Sequence, residues 1–280
     1  MMLSVFYDHI LEAAVQSKRG TAEILKECHS MGIDGLEINY SFLARNKNSV
    51  CNEIRESKMN VSCIYESFDF GKNPDISAAK KMIETAAELK TPRVLIIPGT
   101  LEDWEAAELS ACSGTYETAE TYMNQSGSIR NMKYALSRLV EYAGTFGIQV
   151  TLEDYDGFTQ PFARIYPLLW FMKNTVGLKY TLDTGNFAFS DENVMQAAYV
   201  LKEYIVHIHC KDREYSGKVH GEFCKGLGQC PAGSGYIPIY ELLSHIKASG
   251  YNGYLAIEHF GVPDQLSYIK KSADFLKQFI

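Results

Sequence analysis

Short apolar stretches alternate with longer segments of helical period along the whole chain, and this alternation limits the fold more than any other feature. The stretches are Leu3 to Tyr7, Gly35 to Ile38, Asn60 to Tyr65, Arg93 to Ile97, Ile148 to Leu152, Leu178 to Leu182, Ile205 to His209 and Tyr254 to Ile257. Between them, apolar residues recur at three- and four-residue steps. Examples are Ile24, Leu25, Cys28 and Met31 after a candidate cap at Thr21, then Ile76, Ala79, Ile83 and Ala86. Ile129, Met132, Leu136, Leu139 and Ala143 form a third set, followed by Val194, Ala197, Ala198 and Leu201, and by Leu266, Ile269, Ala273 and Leu276. Strands that are apolar without alternating are buried on both faces, which calls for a parallel sheet covered by helices. Eight such units in 280 residues predict an α/β chain folded as a (β/α)8 TIM barrel, one domain over residues 1–280. An open sheet binding a dinucleotide would carry a G-x-G-x-x-G turn after its first strand, and the first turn here, Asp8-His9-Ile10-Leu11, has no glycine.

Two segments stand outside the repeat. Residues 100–127 are rich in Thr, Ser, Glu and Gly; Trp104, Ala107 and Leu109 mark part of this stretch as helical, and excursions of such length often cover sites. Residues 211–234 read as loop, with Gly226, Gly228, Gly233 and Gly235 giving it turning freedom but no phosphate-loop pattern. No run of eighteen apolar residues occurs, so a membrane span is not expected. The opening MMLSVFYDHILEAAVQ reads as a first structured element rather than a signal peptide, which predicts a cytoplasmic protein. A net charge of -7 without a Lys/Arg cluster argues against a nucleic-acid partner. The seven cysteines, Cys28, Cys51, Cys63, Cys112, Cys210, Cys224 and Cys230, are odd in number and suit free thiols in a reducing compartment. Cys224 and Cys230 downstream of His209 and Cys210 raise the idea of a structural zinc cluster, but no C-x-x-C pair anchors one.

Polar residues stand at four strand ends. IQVTLED ends with Glu153, LKYTLDTGN with Asp183, IVHIHCKD with His209 and YLAIEHF with Glu258. Parallel barrels build their sites at the carboxyl ends of the strands. Three carboxylates meeting there would be costly to keep ionised, and a divalent cation removes that cost. One imidazole among oxygen ligands suits Mn²⁺ or Mg²⁺ and allows Co²⁺, Fe²⁺ or Zn²⁺. Each residue alone has a plainer explanation: a charged loop start for the glutamates, a capped turn for Asp183, a core histidine for His209. Lys211, Asp212 and Arg213 follow His209 closely, and Lys211 and Arg213 are candidates to meet a substrate anion. Asp212 and His207 are candidates to support the ligands from behind, as opposed to an ordinary charged loop and a barrel-core histidine. His9, Glu37 and Glu66 stand near the ends of the first three strands, where substrate hydroxyls would be contacted, and Tyr65, Trp104 and Phe187 could wall the C–H face of a sugar.

These segments resemble the xylose-isomerase-like TIM barrels, the superfamily of sugar isomerases, ketose 3-epimerases, inosose dehydratases and endonuclease IV. The likeness runs over most of the chain and is tightest in VTLED, LDTGNF, HIHCKDR and GYNGYLAIEHF. It implies one divalent metal held by Glu153, Asp183, His209 and Glu258, with Glu153 and Glu258 also acting as acid and base. Departures from the ketose 3-epimerases are Asn186 where they carry a histidine, which leaves Asn186 a supporting position, Thr159 where a glutamate is usual, and an H-x-K-D segment in place of H-x-G-E. The multi-histidine cluster of endonuclease IV is absent. The expected activity is therefore metal-dependent isomerisation or epimerisation of a ketose or related polyol through a metal-stabilised enediolate. Two alternatives stand beside it: a lyase of the inosose dehydratase type, and a carbohydrate-binding barrel without turnover. The expected partners are a sugar, a sugar phosphate or an inosose, with a homo-oligomer allowed but no interface legible.

Overall fold

The computed structural model describes residues 1–219 and 222–280. Among the described residues there are ten strands: β1 (Met2–Phe6), β2 (Ile33–Asn39), β3 (Asn60–Ser67), β4 (Arg93–Ile97), β5 (Gln149–Glu153), β6 (Lys179–Asp183), β7 (Ile205–Cys210), β8 (Asp212–Val219), β9 (Glu222–Cys230) and β10 (Tyr254–Ile257). Eight of them close into a parallel barrel in the order β1-β10-β7-β6-β5-β4-β3-β2, while β8 and β9 form a separate two-stranded sheet. The helices are α1 (Tyr7–Ser17), α2 (Thr21–Ser30), α3 (Tyr40–Ser57), α4 (Ser77–Glu88), α5 (Asp103–Cys112), α6 (Tyr116–Gln125), α7 (Gly127–Gly144), α8 (Ile165–Asn174), α9 (Val194–Leu201), α10 (Ile239–Ala248) and α11 (Gln265–Leu276). Among the described residues no helix is long and apolar enough to cross a membrane.

The chain divides into two compact units. In the first, Met1–Ser62 with His207–Ile280, β1 lies between β2 and β10, and β10 pairs onward with β7. The register sets Phe6 beside Glu37, and Ala256 beside His209. Leu3, Val5, Leu36, Ile38, Ile208, Leu255 and Ile257 are fully buried, as strands covered by helices require. No loop separates β1 from its helix: Phe6 is the extended cap residue and Tyr7 already helical. At α2 the cap position belongs to Gly20, with Thr21 as the first helical residue and no side-chain cap bond, so Thr21 does not cap as its sequence suggests.

In the second unit, Cys63–Val206, β3, β4, β5 and β6 pair in sequence order. The long connection after β4 holds two further helices: α5, which covers the part marked as helical by Trp104, Ala107 and Leu109, and α6. Glu102 and Glu105 form a reciprocal capping box at the start of α5. The buried Glu105 carboxylate also accepts from the Ser128 hydroxyl at 3.0 Å, tying α5 to the start of α7. Ser126 caps α7 by accepting from the Ile129 N–H.

A second correction concerns residues 211–234, expected as loop. They contain the antiparallel pair β8 and β9; residues 220 and 221, between these strands, lie outside the described residues. Asp212 anchors the base of the pair, its carboxylate accepting from the N–H groups of Arg213, Gly233, Gly235 and Ile237. Gly235 is required there, because a Cβ would stand 2.2 Å from the Arg213 carbonyl oxygen and 2.3 Å from Asp212 Oδ1. The Arg213 guanidinium is buried and donates to the Leu227 carbonyl at 2.7 Å, bracing one strand against the other.

Candidate metal centre

Within the second unit, β5 and β6 deliver Glu153 and Asp183, both buried. Asp183 Oδ1 accepts from the N–H groups of Gly185 at 2.7 Å and Asn186 at 2.8 Å, so the D-T-G-N turn fixes the carboxylate it follows. Asn186 in turn donates from Nδ2 to the Asp154 carbonyl at 2.8 Å, which links the ends of the two strands. Asp154, next to Glu153, is fully buried and accepts from the Tyr180 hydroxyl at 2.6 Å and the Asp183 N–H at 2.8 Å. Burial, and then the charge of Asp183, push its carboxyl far above the usual range. The strand-end pattern did not single out Asp154; its only signal is adjacency to Glu153.

Within the first unit, a chain of charged contacts runs from β2 to the end of β10. Glu37 Oε1 is 2.5 Å from His207 Nε2, and its Oε2 is 3.2 Å from His209 Nε2. The other ring nitrogen of His209, Nδ1, stands 3.0 Å from Glu258 Oε2, and Lys211 Nζ lies 2.6 Å from Glu258 Oε1. All five side chains are buried. Burial alone would raise both carboxyls, but His207 and His209 around Glu37, and Lys211 and His209 around Glu258, outweigh it and hold both well below the ordinary carboxylate range. Lys211 and His207 thus stand in direct contact with site carboxylates.

The remaining candidates are occupied differently. His9 is fully buried; its Nε2 accepts from the His259 N–H at 3.0 Å, and the two rings stack with centroids 5.1 Å apart. Burial, then the neighbouring His259, hold His9 neutral. Glu66 is half-buried and accepts from the Ser67 N–H at 2.9 Å. Arg213 and Asp212 are committed to the base of the β8–β9 pair, as described above. Phe187 is buried and Trp104 is 63 % exposed, so these two do not share an environment. The seven cysteines are free thiols, and none belongs to a group with metal-ligand geometry among the described residues. A cavity of about 220 Å³ in the second unit, lined by Leu109, Phe158, Gln160, Arg164 and Phe189 among others, includes none of the candidate ligands.

Residues 25–279 match the family profile of the xylose isomerase-like TIM barrel, and the chain belongs to that family. An uncharacterized protein of Methanocaldococcus jannaschii is 24% identical over 212 residues, a match covering 73% of this chain and 62% of that relative, less than two thirds of its length. Among solved structures, D-allulose 3-epimerase from Methylomonas sp. in complex with D-allulose is similar with a TM-score of 0.71 and 14% identity, over 100% of this chain and 97% of that one. The probable 3-DHS dehydratase AsbF of Bacillus anthracis gives 0.68 and 14%, over 99% of both chains. The IOLI protein, solved with a zinc atom, gives 0.70 and 16%, over 100% and 99%. At these identities the likeness is one of fold. The fold's solved examples include epimerases and a dehydratase, and the buried acidic and histidine side chains described here have the chemistry to bind a metal.

Proposed function

We propose that Glu153, Asp183, His209 and Glu258 hold one divalent cation, and that the protein is a metal-dependent isomerase or epimerase of a ketose or related polyol. The observation that carries this is the burial of all four at strand ends, Glu153 and Asp183 closing β5 and β6 in one unit, and His209 and Glu258, with Nδ1 and Oε2 3.0 Å apart, at the ends of β7 and β10 in the other. Three carboxylates and one imidazole fit a divalent ion by charge and by donor type, since buried acids need a counter-charge beyond the ammonium that Lys211 offers Glu258. Oxygen-rich ligation favours Mn²⁺ or Mg²⁺ and admits Co²⁺, Fe²⁺ or Zn²⁺. The cation, when bound, supplies positive charge that makes a C–H beside a carbonyl more acidic.

The chain's own residues do the rest. Lys211 and His209 keep Glu258 ionised, so that it is a ready proton acceptor at the strand ends. Glu153, the other glutamate of the set, delivers to the substrate a proton that it takes up from solvent, and Glu258 passes the abstracted proton to solvent, which restores the pair. Delivery to the opposite face of the same carbon gives an epimer, and delivery to the neighbouring carbon gives an isomer. A second reading is favoured by Lys211 Nζ, 2.6 Å from Glu258: an ammonium beside the base could protonate a departing β-hydroxyl, which would make the enzyme a lyase acting on an inosose or similar keto-acid or keto-polyol. Sugars, sugar phosphates and inososes are the substrates to examine.

The experiment is metal analysis of wild type and of a Glu153→Ala, His209→Ala double variant, with Mn²⁺ titrated into any empty protein. Ketoses and inososes are then incubated in D₂O. About one ion per wild-type chain, lost in the variant, together with deuterium incorporation, is the expected result; water loss would select the lyase. A wild type that binds no Mn²⁺ and exchanges no deuterium would sink both enzymatic readings and leave a carbohydrate-binding barrel.

A further inference from the structure

We propose that Glu37 is a positioning residue for this centre: its carboxylate holds His209 by Nε2 and so leaves Nδ1 as the atom that faces the cation. The proposal rests on the four-ligand assignment above, and adds to it a residue that is not a ligand.

Glu37 spends both oxygens on imidazoles, Oε1 on His207 Nε2 at 2.5 Å and Oε2 on His209 Nε2 at 3.2 Å. An ionised carboxylate only accepts, so the nitrogen facing each oxygen carries the proton. When a cation takes the place of the second ring proton, the proton held at Nε2 leaves the lone pair of His209 at Nδ1, the nitrogen that stands 3.0 Å from Glu258 Oε2. Rotation of the ring by half a turn would exchange the two nitrogens. It is opposed by the Glu37 bond and by packing, for the Phe6 ring meets His209 edge-on with centroids 5.0 Å apart and His207 meets it at 5.3 Å. His207 has the corresponding effect on Glu37, fixing the oxygen that His209 does not use.

Glu37, His207 and His209 also form a buried group that could itself hold an ion. The distances favour hydrogen bonds instead. Two ligands about 2.1 Å from one ion at right angles lie roughly 3 Å apart, whereas Glu37 Oε1 and His207 Nε2 are 2.5 Å apart. A carboxylate behind a metal-bound histidine is a common arrangement, and removing it typically weakens metal binding by about 10–100-fold.

The test uses full-length wild type, Glu37→Gln and Glu37→Asp, with Mn²⁺ binding followed by calorimetry and folding followed by urea unfolding. Protein labelled with ¹⁵N-histidine is examined by NMR with Mg²⁺ or Zn²⁺ bound, and the His209 signals are assigned through His209→Gln. The expected result is one ion per chain in wild type and an affinity about 10–100-fold weaker in Glu37→Gln, with partial rescue in Glu37→Asp. The spectra should show His209 protonated at Nε2 and metal-bound at Nδ1, a signature that a merely structural role would not fix. Unchanged affinity in Glu37→Gln, or coordination through Nε2, would overturn the proposal. So would two ions per wild-type chain with one lost in Glu37→Gln, since Glu37 would then be a ligand. Absence of any ion in wild type would instead overturn the four-ligand assignment, and this proposal with it. Should Glu37→Gln fail to fold, the NMR on the wild type decides the matter alone.

Discussion

Glu258 carries two counter-charges at once, and its stability effect has a definite sign. Its carboxyl is held below the ordinary 4.5 in the folded chain by Lys211 and His209, against the opposing effect of burial. A depressed acid contributes stability above its unfolded value and loses that contribution as pH falls through its folded value. Urea midpoints of wild type should therefore decline from pH 6 towards pH 3, and Glu258→Gln should show a shallower decline. At neutral pH the variant should be less stable by about 3–5 kcal/mol, because Lys211 keeps its buried charge and loses this partner. Equal slopes for the two proteins would count against the coupling. The cysteines give an independent check on burial. Burial pushes the Cys28 and Cys230 thiols up to about 12, and Cys63 and Cys210 are fully buried. A thiol reagent at pH 8 should label only Cys51, Cys112 and Cys224 in the native protein, and all seven after denaturation. At this scale the sequence was uneven. Glu153, Asp183, His209 and Glu258 were singled out because each closes an apolar strand, and all four are buried. Glu37 was visible only as a candidate for substrate contact, since its partners lie 170 and 172 residues away and nothing near it in the chain announces them. His9 sits at a strand end too, yet its ring is taken up by the His259 main chain and side chain, a contact across 250 residues.

Elements with strong apolar period were legible, and elements without it were not. α7 follows from Ile129, Met132, Leu136 and Leu139, all fully buried. The β8–β9 pair escaped notice because it is mostly exposed on both faces, so its residues need not alternate, and its glycines imitate a loop. Such a pair is marginal alone, which makes the Asp212 anchor decisive. Gly235→Ala should open the base of the pair, since the added methyl would meet backbone and carboxylate at about 2 Å. Hydrogen exchange across β8 and β9 should rise by at least about tenfold, equivalent to roughly 1.4 kcal/mol of local opening, while α7 keeps its protection. Unaltered exchange in β8 and β9 would show that the anchor is dispensable. In α5 and α6 the helical period was partly concealed by polar residues. There Glu105, buried and bonded to Ser126 and Ser128, replaces apolar packing. Glu105→Ala should cost about 1–3 kcal/mol in urea unfolding by leaving the two hydroxyls without that acceptor.

For the whole molecule, the barrel was legible from eight apolar strands because closing the sheet leaves each of them little choice of face. An ion that binds only the folded barrel should raise its stability through mass action, by about 2.7 kcal/mol at a free concentration one hundred times Kd. Thermal unfolding with and without Mn²⁺ should show this gain in wild type and its loss in Asp183→Asn. One further consequence concerns the making of the chain. Glu37 waits for a partner 170 residues downstream, which at a synthesis rate of about 5–20 residues per second amounts to roughly 10–30 s on the ribosome. Throughout that interval the carboxylate lacks both of the imidazole partners that it has in the folded chain. If Glu153, Asp183, His209 and Glu258 hold the cation proposed above, metal choice is deferred until nearly all of the barrel has emerged, and the ion selected is the one available to the finished protein and not one acquired during its birth.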